Sequence, residues 1–186
     1  MIKSIEHLVY EHENIKRMLD VVRAASLRVL AGEAVPAKDF HAMIAFIRNY
    51  ADKTHHGKEE EFLFKAMLAE LGMPGQNLIR SGMLVEHDLG RLYVSDLENA
   101  VNAYAAEPTE ASRLDILVAA GSYVNLLRRH IDKENAAVFP FGDRQLSAEA
   151  LAAVDADSER FEADPANAAV REEQLQVLAD MAAKYL

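Results

Sequence analysis

The sequence predicts an all-α fold: an up-down-up-down four-helix bundle with one or two extra C-terminal helices. Three observations point that way. Four long segments place apolar residues at steps of three and four, the spacing of one helical face. The hydrophobic 51 % of the 186 residues is mostly alanine and leucine with short β-branched runs, which favours helix over sheet. The polar residues also repeat. Residues 55–64, HHGKEEEFLF, align with 130–139, HIDKENAAVF, at an offset of 75, matching His55 with His130, Lys58 with Lys133, Glu59 with Glu134 and Phe64 with Phe139. The same offset carries Glu11-His12 onto Glu86-His87. The chain reads as two copies of a helix pair.

The first helix is expected from about Ser4, an N-cap candidate, to about Leu30. Its stripe is Ile5, Leu8, His12, Ile15, Leu19 and Val22. Gly32 and Pro36 punctuate the loop that follows. The second helix spans roughly Lys38 to Leu71 and faces inward with Phe40, Ile44, Ile47, Ala51, His55, Glu59 and Leu63. His55 continues that stripe, whereas His56 is turned about 100° away and is expected at the surface or behind a ligand. Gly57 in mid-helix costs about 1 kcal/mol against alanine and suggests a close approach or a slight bend. Gly72-Met73-Pro74-Gly75 predicts a firm break.

The third helix runs from about Gln76 to Ala105 through Leu84, His87, Val94 and Val101. Residues 107–110 close it and offer the next N-cap. The fourth passes through Ile116, Ala120, Tyr123, Leu127, His130, Glu134 and Val138 to about Phe139, where Pro140 is expected to interrupt it. Helices of roughly 27 to 34 residues with short connections make antiparallel neighbours. Residues 1–142 form the bundle on this reading and 143–186 an extension. Ser147 caps a short helix to about Asp164, and Pro165 starts a last one with Val170, Leu175, Leu178, Met181 and Tyr185 on its apolar face. The extension is expected to pack on the bundle or to form a homodimer contact.

A formal charge of −10 argues against nucleic acid and anionic membranes as partners. No apolar run has the length of a membrane span and the N-terminus lacks a signal-peptide pattern, so a cytoplasmic location is expected. The absence of cysteine excludes disulfides, thiolate zinc sites, iron–sulfur clusters and cysteine nucleophiles.

His55 and Glu59, like His130 and Glu134, lie one helical turn apart, so each pair presents an imidazole beside a carboxylate. Such a pair suits a cation of borderline hardness. His12 and His87 occupy the buried stripes of the other two helices. A lone histidine in such a stripe is usually a satisfied core residue, and a lone glutamate is usually solvated. Six such residues in register at one offset point instead to a common site. Two buried carboxylates would repel each other, and two divalent cations bridged by both remove that cost. Each cation then receives two imidazoles and two bridging oxygens, with positions open for a small exogenous ligand.

Other polar residues have plainer readings. His7 and His41 have no ligand partner at helical spacing. Glu60 and Glu61 are expected to face solvent, with Glu60 a candidate to support a ligand from behind. Lys58 and Lys133 are helix-face charges or balance nearby carboxylates. Tyr10, Tyr50, Tyr93 and Tyr123 read as core aromatics.

Glu11-His12, HHGKEEEFLF, Glu86-His87-Asp88 and HIDKENAAVFP together resemble the hemerythrin-like, or HHE cation-binding, family over residues 1–142. The resemblance implies a four-helix bundle holding two non-haem iron ions with an oxo or hydroxo bridge. Position by position, His12, His55, His87 and His130 would be terminal metal ligands, with Glu59 and Glu134 bridging. The pattern departs from oxygen-carrying hemerythrins, whose third helix brings a second histidine. Here Met83 and Arg91 stand one turn either side of His87, leaving that fifth histidine without an evident replacement. The last carboxylate is Glu134, four residues after His130, where those proteins have an aspartate five after. The more symmetric set resembles bacterial iron-centre repair and nitric-oxide-responsive members, but their N-terminal cysteine segment is lacking.

The expected function is a di-iron protein that binds oxygen, nitric oxide or peroxide for sensing, detoxification or iron handling, with an electron donor the sequence does not identify. Any catalysis would be on peroxide or nitric oxide rather than hydrolysis. The alternative is a structural or storage protein for zinc or iron without redox turnover, since zinc can substitute on His and carboxylate ligands. A ferritin-like carboxylate oxidase fits poorly, because its Glu-x-x-His is absent and only Asp52 precedes His55 at that spacing.

Overall fold

Six helices and no strand make up the chain in the computed structural model, which describes residues 1–186. They are α1 (Lys3–Leu30), α2 (37–70), α3 (72–106), α4 (110–145), α5 (Ala148–Ala163) and α6 (Pro165–Tyr185).

The helix ends show which local signals held. Ser4 is not the cap of α1: Ile2 is, without a side-chain cap bond. Ser4 is buried in the first turn, and its amide donates to Asp155 Oδ1 of α5 at 2.8 Å. A distant carboxylate thus satisfies one of the free amides of that turn. α4 opens on a reciprocal cap in which Thr109 Oγ1 accepts from the Ser112 amide at 3.1 Å and Ser112 Oγ accepts from the Thr109 amide at 3.2 Å. Ser147 and Asp164 cap α5 and α6 through the amides of Ala150 and Ala166.

Two expected interruptions are milder than predicted. Residues 72–75 are the first turn of α3 rather than a loop, and the chain turns only at Leu71 and Gly72. Gly72 has φ +54°, a region glycine enters without a Cβ penalty. A Cβ on Gly75 would stand 2.6 Å from the Met67 carbonyl oxygen, so the corner closes only on glycine there. Pro74 costs little because first-turn amides have no intrahelical acceptor. Pro140 likewise does not stop α4, which continues to Gln145. Just before it, Glu134–Val138 is wound as π-helix. The wider turn accommodates a residue that lacks an amide and would clash in a regular α-turn.

The same i→i+5 winding runs through Ile47–His56 and Glu59–Phe64 of α2 and Gln76–Met83 of α3. Gly57 joins the two stretches of α2, its amide reaching the Asp52 carbonyl. A Cβ there would meet nothing nearer than 3.9 Å, so close approach is not the reason for glycine.

The core has two parts. One apolar cluster includes Ile15, Ala51, Val94, Tyr123, Leu127 and Ile131; the other includes Leu8, Leu63, Phe64, Met83, Val138 and Phe139. Along α1 and α3 the chain passes from the second cluster to the first, and along α2 and α4 from the first to the second. On α1, α2 and α3 the stretch between the clusters carries the histidines singled out above; on α4 His130 lies between Leu127 and Ile131 at the edge of the first cluster, and Glu134 in the stretch beyond. α6 packs against α1 and α2, placing Leu178, Ala182 and Tyr185 in the larger cluster. The Tyr185 hydroxyl donates to the Asp39 carboxylate, and Arg28 stands 4.7 Å over its ring. Tyr10 is 61 % exposed, contrary to its reading as a core aromatic, while Tyr50 and Tyr123 are buried. No helix is long and apolar enough to cross a membrane.

Candidate metal centre

His12, His55, His56, Glu59, His87, His130 and Glu134 are each at most 4 % exposed. The six residues expected at the site come together, and His56 joins them. Two overlapping groups each gather ligand atoms within 4.8 Å of one another: His12, His55, Glu59 and Glu134, and His56, Glu59, His87 and His130. Glu59 belongs to both.

The carboxylates straddle the two groups. Glu59 Oε1 lies 3.5 Å from His55 Nε2 and Glu59 Oε2 lies 3.6 Å from His87 Nε2. Glu134 Oε2 lies 3.2 Å from His12 Nε2, and Glu134 Oε1 lies 3.1 Å from His130 Nε2. Atoms bound to one ion at 2.0–2.2 Å lie about 3.0–3.4 Å apart, so these separations resemble the edges of coordination polyhedra. Hydrogen bonding does not account for them. All four carboxylate oxygens and the Nε2 atoms of His12 and His55 are buried without a hydrogen-bond partner. Leaving such groups unpaired costs about 1–3 kcal/mol each, and more when charged. His87 Nε2 and His130 Nε2 stand 3.1 Å apart, a contact that two bare lone pairs would make repulsive and that a proton or a shared cation between them makes favourable.

Behind this inner layer every imidazole is held by Nδ1. His55 bonds Glu11 at 2.9 Å, His130 bonds Glu86 at 3.0 Å, His87 bonds Glu60 at 2.7 Å and His12 bonds Asn135 Oδ1 at 2.8 Å. An oxygen acceptor fixes the proton on Nδ1 and leaves the Nε2 lone pair for a metal, the usual supporting arrangement of histidine ligands. Glu60 therefore holds the His87 ring from behind, whereas Glu61 is exposed. The lysines balance carboxylates: Lys58 Nζ donates to Glu11 at 2.6 Å and also to Glu162, and Lys133 donates to Glu86.

The electrostatics place positive charge at the same spot. Burial, then repulsion from Glu134, raises the Glu59 carboxyl well above the carboxylate range. Burial acts likewise on Glu134, but His130 and then His12 outweigh it and hold that carboxyl well below the range. Burial would lower His130, yet Glu134 and Glu86 raise it to about 9. A cation bound among these groups would compete with protons on Glu59 and His130. Burial and the neighbouring His12 lower His55 to about 4, which keeps it neutral as a ligand must be.

Burial of His56 rules out its surface reading and leaves the place behind a ligand. The rotation of 100° per residue that turned it outward holds for α-winding. In the π-wound stretch Ile47–His56 each residue advances less around the axis, so both neighbours reach the interior. Asn135 and Glu162 were also missed as supporting residues, since neither is a ligand type at ligand spacing. His41 lies apart from both groups. His7 stands with Glu11 and Glu162 at 3.4 Å from each, outside the inner layer.

A family model of the hemerythrin HHE cation binding domain matches residues 3–141. Over 135 residues the chain is 27 % identical to the uncharacterized proteins Rv1995 and MT2051 of Mycobacterium tuberculosis and Mb2018 of Mycobacterium bovis. The aligned part is 73 % of this chain and 51 % of each relative, so the chain spans about half their length. With most of its length matched and a buried His/Glu cluster able to hold metal, the chain belongs to the hemerythrin HHE cation-binding domain family.

Proposed function

We propose that the chain is a non-haem di-iron protein that binds a small ligand (oxygen, nitric oxide or peroxide) in sensing, detoxification or iron handling. His12 and His55 hold one ion, His87 and His130 the other, and Glu59 and Glu134 bridge them. One observation carries the reading: two buried carboxylates each direct one oxygen at either histidine pair, with no hydrogen bond to any of the four oxygens. Iron held there supplies redox chemistry and coordination positions for the exogenous ligand. The chain's own residues orient the imidazoles through Nδ1, and apolar clusters on both sides exclude water. Turnover would draw on an electron donor outside this chain.

The same reading makes residues 1–142 an up-down-up-down bundle, which the alternating order of the two clusters along α1 to α4 supports. Residues 143–186 are then a helical extension packed on it.

Protein loaded anaerobically with ferrous iron is expected to hold two irons per chain and to change its absorption on mixing with oxygen in a stopped-flow cell. A change that reverses when oxygen is removed assigns a carrier or sensor. Irreversible oxidation with turnover of peroxide or nitric oxide assigns an enzyme. A single zinc and no iron, in protein from cells grown without excess zinc, would end the redox reading in favour of structural or storage metal.

A further inference from the structure

The outer face of α4 carries an apolar patch that nothing in the chain covers. Leu27, Leu30, Leu114 and Val118 are each 53–68 % exposed. With Leu117 they line a groove of about 340 Å³ between α1 and α4. Val118 stands on its crest, since it also lines the groove on the α3 side. One turn on, Gly121 borders the same groove, in mid-helix, where glycine is unfavourable against alanine. A Cβ on Gly121 would meet nothing within 4 Å, so no neighbour inside the chain requires its side chain to be missing. The internal repeat shows what such a face takes. At the offset of 75 the counterparts of Val118, Gly121 and Ser122 are Met43, Phe46 and Ile47 of α2. All three are buried in the larger cluster, and α6 packs along that helix. The chain supplies α6 to α2 and no equivalent helix to α4.

We propose that this face joins two copies of the chain, α4 crossing its twin antiparallel about a two-fold axis at Val118. One turn before the axis on one copy then meets one turn after it on the other. Leu114 lies over Gly121 and Ser122 of the partner subunit, a large side chain entering the hole that a glycine leaves. Further out, the acidic start of α4, Glu107 and Glu110, comes opposite Asn125, Arg128 and Arg129 of the partner subunit. Opposite charges so placed fix the antiparallel register, and the face is self-complementary, as a two-fold dimer requires. From Glu110 to Arg128, α4 is roughly 30 Å long, and with α1 alongside the face is about 20 Å wide. That is about 600 Å² per copy and about 1,200 Å² in all, the lower limit for a specific complex. A dimer that separates on dilution is therefore expected.

Sedimentation velocity on the full chain as purified, over a range of concentrations, reads the association directly. The charge of −10 repels a second copy at long range, so the salt is set at about 0.15 M, where the screening length is about 8 Å. The wild type is expected to pass from one chain mass to two as concentration rises. A wild type that stays monomeric throughout would overturn the proposal and leave the face to a different protein. Val118→Lys and Val118→Glu each place like charges on the axis, and each is expected to stay monomeric. An equal mixture of the two is expected to dimerise again. A dimer that survives both substitutions, or a mixture that stays monomeric, would put the contact elsewhere and overturn the proposal. Gly121→Leu fills the hole and is expected to weaken the dimer about tenfold or more, with the circular dichroism of the chain unchanged. Should a Val118 variant fail to fold, the wild type against Gly121→Leu decides, and equal association of those two would overturn the proposal.

Discussion

In the half of the site built on His12 and His55, Lys58 is 2 % exposed and lies between Glu11 and Glu162; in the half built on His87 and His130, Lys133 is 47 % exposed and has Glu86 alone. Much else is the same in both. Glu11 and Glu86 each hold the Nδ1 of the histidine that opens an HxxxE, at 2.9 and 3.0 Å. Glu60 and Asn135, again 75 residues apart, each reach across to the lone histidine of the opposite pair. Phe64 and Phe139 lie 5.8 and 5.5 Å from His87 and His12. The duplication thus extends through the supporting layer and ends at the wrapping. α5 supplies Glu162 over one half and nothing over the other, so one ion pair sits in a low dielectric and its twin in water. Equivalent residues at equivalent spacing therefore differ in energy by what lies outside them.

The largest test of that comparison removes one lone histidine from each half. His12→Ala leaves His55 as the only imidazole on its ion and is expected to reduce two metals per chain to one. His87→Ala leaves His130 on its ion with the buried His56 ring beside the vacated position, so the second metal is expected to be retained, more weakly. Metal analysis after gel filtration reads both, and equal losses would make the halves equivalent.

A smaller effect separates the supporting ion pairs. Glu11→Gln strips a buried ammonium of one partner and is expected to destabilise by about 3 kcal/mol, the low end for breaking a buried pair because Glu162 remains. Lys133→Ala breaks an exposed pair and is expected to cost about 0.2–1 kcal/mol. Urea unfolding at fixed metal loading measures the two, and similar losses would show that α5 does not insulate Lys58.

The smallest is a pH effect confined to one half. Hydrogen bonds to Glu11 and Glu162 raise His7 from 6.5 to about 9, while its counterpart at position 82 is glycine. The folded chain holds this proton more tightly than the unfolded one. Its stabilisation is complete below pH 6.5 and fades as pH rises through 9. His7→Ala is expected to flatten that part of the stability curve, and an unchanged slope would assign the pH dependence elsewhere.

Much of the centre was legible because ligand types at helical spacing are visible in one dimension. The repeat at 75 placed His12, His55, Glu59, His87, His130 and Glu134 on inward stripes, and all are buried. Three misreadings concern the path of the backbone: His56 seemed to point outward and Pro140 to end α4 because regular α-geometry was assumed, and residues 72–75 seemed a loop because glycine and proline read as a break. Ser4 and Tyr10 were misread because what a helix face meets is set by the fold. Widened turns bring in His56 and pass Pro140, and a single positive-φ glycine replaces the loop.

The sequence by itself determined the helical class, the paired motifs and the family, since periodicity and spacing are local properties of the chain. Only the tertiary structure decided which neighbour of a histidine pair faces inward, which outer residues grip the rings, and which lysine is buried. Those outcomes depend on winding and on contacts between residues up to 123 positions apart, as between His12 and Asn135, and no local pattern encodes them.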